Sequence, residues 1–462
     1  MGQTHAIPRA ASLRGRVGAI RTTAGTTPGY LRTLAALIAA GAFLLGLLAL
    51  GTLAVTGATV DTIGRRTAPS VIDAQKIHAA LADADRSAAN SFLAASVGDE
   101  PRQRYQRDVA TATRDLEQAA EHNSAGSRAS RELQTIIVMV TDYTSLVETA
   151  RAGSRDGFPI GAAYLRAASD LIHRRPDGIL ARVDTLDDLN AQDLTSQEAS
   201  LWLAVGTLGA LLAVGVAVVV ILLRTQAYLR RKFRRRRNSR LLAATAIAVL
   251  VPGAVAAEAA NTYRSLTVAE QQAFDHLHNL WQVRSLVDDA NGNESLSLVA
   301  RGNGAAFDAA FKAETAQLAD RPLSFAMVTE AAAGHVTFRG LLADEVASAT
   351  FPGEREAAIG ALRAYQAFLA ADIGVRARVA AGDRDGAVAR ALGSGPGQLG
   401  AAFASLDAAL GHAIDIDQRQ FDTAIATAIP LLPVEIAVAP AAAAIALLAL
   451  WGLWPRMAEY VR

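Results

Sequence analysis

Residues 201–240 read LWLAVGTLGALLAVGVAVVVILLRTQAYLRRKFRRRRNSR. The first 23 carry no charge, and a helix needs about 20 residues to cross the hydrocarbon core of a bilayer. The next 17 hold nine basic groups and no acid. Lys and Arg in short flanks stay on the cytoplasmic side, so this junction reads as a membrane crossing that ends in the cytoplasm.

Three more apolar runs follow the same logic: residues 31–57, with Arg32 at its start, 241–257, and 434–454, with Glu435 in its first turn. Trp202, Trp451, Trp454 and Tyr30 stand near the ends of these runs, where amphipathic rings favour the headgroup region. The first run is too long for the 7–15-residue apolar region of a cleaved leader, so it is expected to remain as a span. The basic loop 224–240 then lies inside with the N-terminal tail 1–30, whose neighbourhood is rich in Arg and free of acid, and with the tail 455–462. Residues 58–200 and 258–433 lie outside, and both are acidic. Residues 58–200 hold 16 basic and 21 acidic groups, and residues 258–423 hold 13 and 21. A net charge of +1 conceals this sorting.

The composition predicts helix throughout. Half the chain, 51%, is hydrophobic but only 5% is aromatic, so the apolar content is mainly Ala, Leu, Val and Ile, which suits helices more than β-sandwiches. Ile77, Leu81, Ala84, Ala88 and Phe92 recur at helical spacing, as do Ile179, Val183 and Leu186. In the second external segment Phe274, Leu277, Trp281 and Val287 do the same, and Phe403, Leu406, Leu410, Ile414 and Phe421 lead toward the last span. Breakers at VGDEP (97–101), HNSAGS (122–127) and AGSRDGFP (152–159) divide the first segment into about four helices. RGNG (301–304), a looser region 320–340, TFPGE (350–354), AGDRDG (381–386) and GSGPG (393–397) divide the second.

AGSRDG at 152–157 and AGDRDG at 381–386 differ at one position and occupy matching places. Each is expected to close the third long helix and open the fourth, with Ser154 or Asp383 supplying a turn or N-cap oxygen. DDLNAQDLT (187–195) and DIDQRQFDT (415–423) then precede a span in each copy. The expected fold is therefore all-α and integral to the membrane: four transmembrane helices and two extracytoplasmic four-helix bundles in tandem.

VAAGDRDGAVARAL (379–392), FASLDAAL (403–410) and DIDQRQFDTAIATA (415–428) resemble the four-helix-bundle sensor modules of bacterial chemoreceptors and sensor kinases. The tandem four-span layout, with ARAGSRDGFPIGAAYLRAASDL (150–171), is similar to the GlnX-type membrane proteins of high-GC Gram-positive bacteria. That resemblance implies a relay between an amino-acid-binding lipoprotein outside and a soluble serine/threonine kinase, protein kinase G, inside.

The residues offer little chemistry of their own. There is no cysteine, which removes disulfides, thiolate metal sites and a cysteine nucleophile. His276 and His278 are two apart and point to different helix faces, so the histidines read as solvated or partly packed rather than as metal ligands. No phosphate loop or nucleophile elbow occurs, and no cytoplasmic segment is long enough for a catalytic domain. The chain is expected to be no enzyme and to hold no cofactor.

Arg230, Arg231, Lys232, Arg234, Arg235, Arg236 and Arg237 have three readings: a topology signal, a contact with anionic lipid, or a dock for an acidic cytoplasmic partner. Nucleic acid is not an expected partner, and self-association is left open. Glu435 reads as interfacial, because it is solvated at the outer end of its span, rather than as an intramembrane group. With Pro430, Pro433 and Pro440, each lacking an amide hydrogen, it marks a candidate hinge, and Pro252 a bend in the third span. Asp288, Asp289, Asn291 and Glu294 interrupt a helix and read as a solvated face, or more sharply as part of a ligand or docking surface.

The expected function is a transmembrane sensor that couples recognition outside, directly or through a solute-binding lipoprotein, to a separate cytoplasmic effector. The competing readings are a non-sensing envelope scaffold and an accessory subunit of a transporter. The spans lack Lys, Arg, Asp and His at mid-depth, which weighs against a transport pathway of its own.

Overall fold

The computed structural model describes residues 27–64, 68–94, 100–156, 158–195, 198–233, 238–268, 274–429 and 432–458. Every regular element among them is helical, and no strand occurs among the described residues. In chain order the helices are α1 (Thr27–Thr62), α2 (Ala68–Leu93), α3 (Glu100–His122), α4 (Arg128–Asp156), α5 (Phe158–His173), α6 (Ile179–Thr195), α7 (Glu198–Phe233) and α8 (Ser239–Val268). They continue with α9 (Asp275–Val299), α10 (Ala305–Leu318), α11 (Phe325–Ala332), α12 (Leu341–Ser348), α13 (Glu354–Ala380), α14 (Arg384–Leu392), α15 (Leu399–Ala428) and α16 (Leu432–Ala458). The chain divides into two compact units: Met1–Thr59 with Glu198–Arg264 and Ala428–Arg462, and Val60–Gln197 with Ser265–Thr427.

The first unit holds four stretches long and apolar enough to cross a membrane: Gly29–Thr62, Trp202–Arg231, Ser239–Val268 and the apolar end of the run Leu399–Pro455. All four helices meet in one core of Ile38, Ala42, Val218, Leu222, Leu241, Ala244, Ile445 and Ala449. Large apolar side chains such as Phe43, Val216, Leu250 and Leu447 face outward, each more than 60% exposed, as a lipid-facing surface requires. Small residues set the spacing, as is usual between membrane helices. A methyl group on Gly46 would sit 2.8 Å from the Ala442 side chain, and one on Gly215 would sit 2.8 Å from the Pro252 ring. Pro252 thus packs into a neighbouring helix, and α8 runs through it from Ser239 to Val268.

One end of this unit gathers the flanks of all four spans. The Tyr30 and Tyr228 rings lie 5.1 Å apart. Asn238 donates to the Gly452 carbonyl at 3.0 Å, and the Arg240 guanidinium lies 4.2 Å over the Trp451 ring.

The second unit is built around α2 and α9, the first helices of segments 58–200 and 258–433. Ile77, Leu81, Ala84, Ala88 and Phe92 are buried, as their spacing predicted, and so are Phe403, Leu406, Leu410, Ile414 and Phe421. The two cores are interleaved. Leu296 and Val299 of α9 complete the core of the first segment, and Ala68, Val71 and Ile72 of α2 join that of the second. A helix with partners on all sides loses its polar face, and both do: residues 84–89 and 287–296 are buried without interruption.

The repeated turn takes two forms. In the second copy α13 ends at Ala380, and Asp383 caps α14 by accepting from the Gly386 amide at 2.9 Å. In the first copy the helix runs on to Asp156, and the Ser154 hydroxyl donates 2.7 Å back to the Arg151 carbonyl instead of capping a new helix. Close packing holds α4 straight here, since a methyl group on Gly161 of α5 would fall 2.6 Å from the Ala150 carbonyl oxygen. The fourth helical region is divided in both segments, at 174–178 and at 393–398. The region 320–340 contains the short helix α11, capped by Ser324.

Candidate functional site

The α2–α9 seam carries charge where a core is normally apolar. Arg86 is 3% exposed; its Nε lies 3.3 Å from Asp288, its Nη2 pairs with Asp83, and its guanidinium stacks 4.2 Å over Phe403. Ser295 donates to Asn90 across the seam at 2.6 Å. Asp85, 2% exposed, accepts from Tyr143 at 3.2 Å and Ser169 at 2.7 Å and faces His173 at 3.2 Å. On the far side of α9, Arg376 reaches Glu294 at 2.5 Å, Asp372 at 2.7 Å and Asp308 at 3.2 Å. The solvated-face reading of Asp288, Asp289, Asn291 and Glu294 is therefore corrected: all four are buried, because α9 is enclosed by both segments.

Beside this seam lies a cavity of about 900 Å³ walled by α2, α5, α6, α9 and α10, within the size range of small-molecule sites. Its wall is polar. Three carboxylates in it share one arrangement, with one oxygen engaged and the other without a hydrogen-bond partner. Asp187 Oδ2 accepts from Gln75 at 2.8 Å while Oδ1 is unpartnered. Glu314 Oε1 accepts from Asn293 at 2.7 Å while Oε2 is unpartnered. Asp289 Oδ2 stands 3.9 Å from His78 while Oδ1 is unpartnered, and so is Nδ1 of His278. Buried acceptors left open in this way are costly. The exposed side chains of Arg166, Arg174 and Arg175 belong to the same wall.

The surplus of carboxylates sets the proton affinities. Burial and the charge of Asp289 push Glu314 up to about 7, against the opposing pull of Asn293 and His173. Burial works to lower His78, but its hydrogen bonds to Asp184 and Asp289 prevail and raise it to about 9. His173 is likewise opposed by burial and raised to about 9 by Asp85 and Asp289. At neutral pH both imidazoles are cations and Glu314 is half ionised.

The other sequence candidates lie apart from this cavity. Arg230 and Arg231 are exposed near the end of α7. Lys232 belongs to the same helix, while Arg234, Arg235, Arg236 and Arg237 lie outside the described residues, as does Pro430. Pro433 occupies the first turn of α16, where a missing amide hydrogen costs no helix bond. Pro440 lies within the same helix, which continues to Ala458, and Glu435 is half-buried in its first turn. The cavity residues His78, His173, Asp187 and Glu314 were not singled out by sequence. The available signal was the acidic triplet Asp184, Asp187, Asp188, whose i, i+3, i+4 spacing puts three carboxylates on one face of α6.

Residues 59–199 match the family model of the actinobacterial sensor domain, a stretch that runs from α2 to α6. No curated protein and no solved structure matches the chain. A sensor domain joined to four apolar helices fits a membrane protein with a sensing role.

Proposed function

We propose that this chain is a transmembrane sensor whose cavity takes a small polar solute bearing an ammonium group, amino acids being the simplest class that fits, and that it relays occupancy to a separate cytoplasmic effector. The observation that carries the reading is that three carboxylates, Asp187, Asp289 and Glu314, line one cavity, each with an oxygen that has no hydrogen-bond partner. An ammonium offers three donors to such a set, and the neighbouring arginines suit a carboxylate on the same solute. The cavity wall draws on both external segments, so occupancy favours one packing of α2 against α9, and a sensor needs that difference in binding energy between two arrangements.

The basic loop orients the relay: by the positive-inside rule both tails and the loop face the cytoplasm and both acidic segments lie outside. The chain itself performs no catalysis in this reading. The tandem arrangement, the likeness to GlnX-type proteins and the charge of the loop support a solute-binding lipoprotein outside and a serine/threonine kinase inside as the partners.

The test is calorimetric titration of the full chain in nanodiscs with a panel of amino acids and amines, alongside Asp289→Asn and Glu314→Gln. The reading expects at least one ammonium-bearing solute to bind and either variant to weaken it tenfold or more. It fails if none binds, or if binding ignores both substitutions. Crosslinking in membranes supplies the second arm. Recovery of a kinase in a solute-dependent manner supports the relay, whereas solute-insensitive recovery of envelope-assembly proteins alone favours the scaffold.

A further inference from the structure

At a second place in the outer unit, His276 of α9, Glu345 of α12, Glu354 at the start of α13 and Asp417 of α15 converge, with one ligand atom from each lying within 4.8 Å of all the others. All four are buried, at 7%, 1%, 2% and 0% exposure. The carboxylates are held from behind. Glu354 Oε2 accepts from the backbone amides of Thr350 at 2.5 Å and Phe351 at 2.7 Å. Glu345 Oε2 accepts from Asn279 at 2.8 Å. The second oxygen of each, Oε1, has no hydrogen-bond partner. His276 Nδ1 points at the same spot, 3.0 Å from Glu354 Oε1 and 3.9 Å from Glu345 Oε1. Asp417 is the independent sign of a missing partner: it is fully buried, and neither of its oxygens accepts a hydrogen bond.

We propose that these four side chains form a divalent-cation site that clasps α9, α12, α13 and α15 together. With His276 neutral, as a metal ligand must be, the three buried carboxylates have no counter-charge within the cluster, and a divalent ion supplies one. One nitrogen and three carboxylate donors suit zinc or manganese. Ligand atoms around a tetrahedral zinc lie roughly 3.4 Å apart, so a cluster whose ligand atoms lie within 4.8 Å of one another closes on an ion by shifts of up to about 0.7 Å per side chain. Oxygens fixed from behind, with the free lone pairs forward, are the usual outer-shell support of a metal centre. The site is separate from the solute cavity, and the inference does not rest on the sensor reading.

The test uses the full chain in detergent or nanodiscs, stripped with chelator and then exposed to manganese or zinc alone. The expected result is one bound ion per chain by elemental analysis, a rise of several degrees in melting temperature, and reversal by chelator. Asp417→Asn keeps the shape and removes the charge, and it is expected to lower cation affinity at least tenfold and abolish the thermal response. Should that variant misfold, the wild-type chain decides alone. Absence of a bound ion and a melting temperature indifferent to both ion and chelator overturn the proposal, as does uptake unchanged by a well-folded Asp417→Asn protein.

Discussion

Replacing Arg86 by Met isolates what the charged seam does. Met retains most of the aliphatic stem but not the guanidinium over Phe403, so the loss is the cation that serves both that ring and Asp288, which is 2% exposed. Asp83 loses the same partner but is 29% exposed and can turn to water. Removing one member of a buried ion pair costs about 3–5 kcal/mol, because the survivor is stranded without water or counter-charge. At 1.4 kcal/mol per tenfold, the α2–α9 contact should then open about a hundredfold to a few thousandfold more often. The chain contains no cysteine, so Ser295→Cys, at the position whose hydroxyl bonds Asn90 across the seam, adds a unique and nearly isosteric thiol. Its alkylation rate in the full chain reports the opening. Arg86→Met should raise that rate by the factor above, and Asp288→Leu added to it should bring the rate back to within about tenfold of the parent, since an apolar pair of similar volume removes the stranded charge. An increase below threefold in the single variant, or a double variant as open as the single, would refute the argument that this pair is desolvated and coupled.

Stability should fall as pH rises from about 5 to about 9. His78 and His173, raised to about 9, contribute stability that is full below 6.5 and lost as pH climbs through 9. Glu314 and Glu294, raised chiefly by burial to about 7 and 8, are each more easily ionised in the unfolded chain and lose stability over 4.5 to 8. Melting scans across that range check the slope, and a maximum near pH 8 contradicts it. The affinity of an ammonium-bearing solute should run the other way, rising through pH 7 as Glu314 ionises, which titrations at pH 6 and 8 resolve. In the membrane unit, Gly46→Val places atoms 2.8 Å or less from Ala442, and overpacking of this kind costs about 1–3 kcal/mol, read as a lower melting temperature in nanodiscs. A lone cysteine at Arg231 should react with an impermeant thiol reagent only after the membrane is opened, whereas labelling from outside intact cells reverses the orientation.

The apolar stripes were legible because they obey one rule: Ile77 to Phe92 and Phe403 to Phe421 repeat at three and four and face a core. The same rule misled at Asp288–Glu294. Charge on a helix normally marks water, and nothing local to α9 reveals that a second helix from 200 residues upstream covers that side. The clue lay in the pairing of two segments rich in small and polar residues, DADRSAANS (83–91) and DDANGNESLS (288–297), the first carrying an Arg and the second only acids. The His276 cluster was hidden for a similar reason. Spacing within one helix excludes a ligand pair in DHLHNLW, but the partners Glu345, Glu354 and Asp417 come from three other helices. The identical-looking turns diverged because tertiary packing against α5 kept AGSRD helical, whereas AGDRDG had room to cap.

The charged seam and the cavity are best understood together. An apolar α2–α9 interface would be at least as stable as the ionic one, so its charges are more informative as a means of choosing between packings. Asp85, Asp187, Asp288, Asp289 and Glu314 face Arg86, His78 and His173, which leaves a surplus of carboxylates shared by the segments 58–200 and 258–433. On the proposed sensor reading, a cationic group entering the cavity relieves repulsion that acts across the seam and favours the closed arrangement, while its departure restores the repulsion. A ligand shifts such an equilibrium only by its differential affinity for the two states. The thiol at position 295 therefore reads the switch directly: a solute that signals must slow its alkylation, and one that binds without changing the rate occupies the cavity without driving the relay.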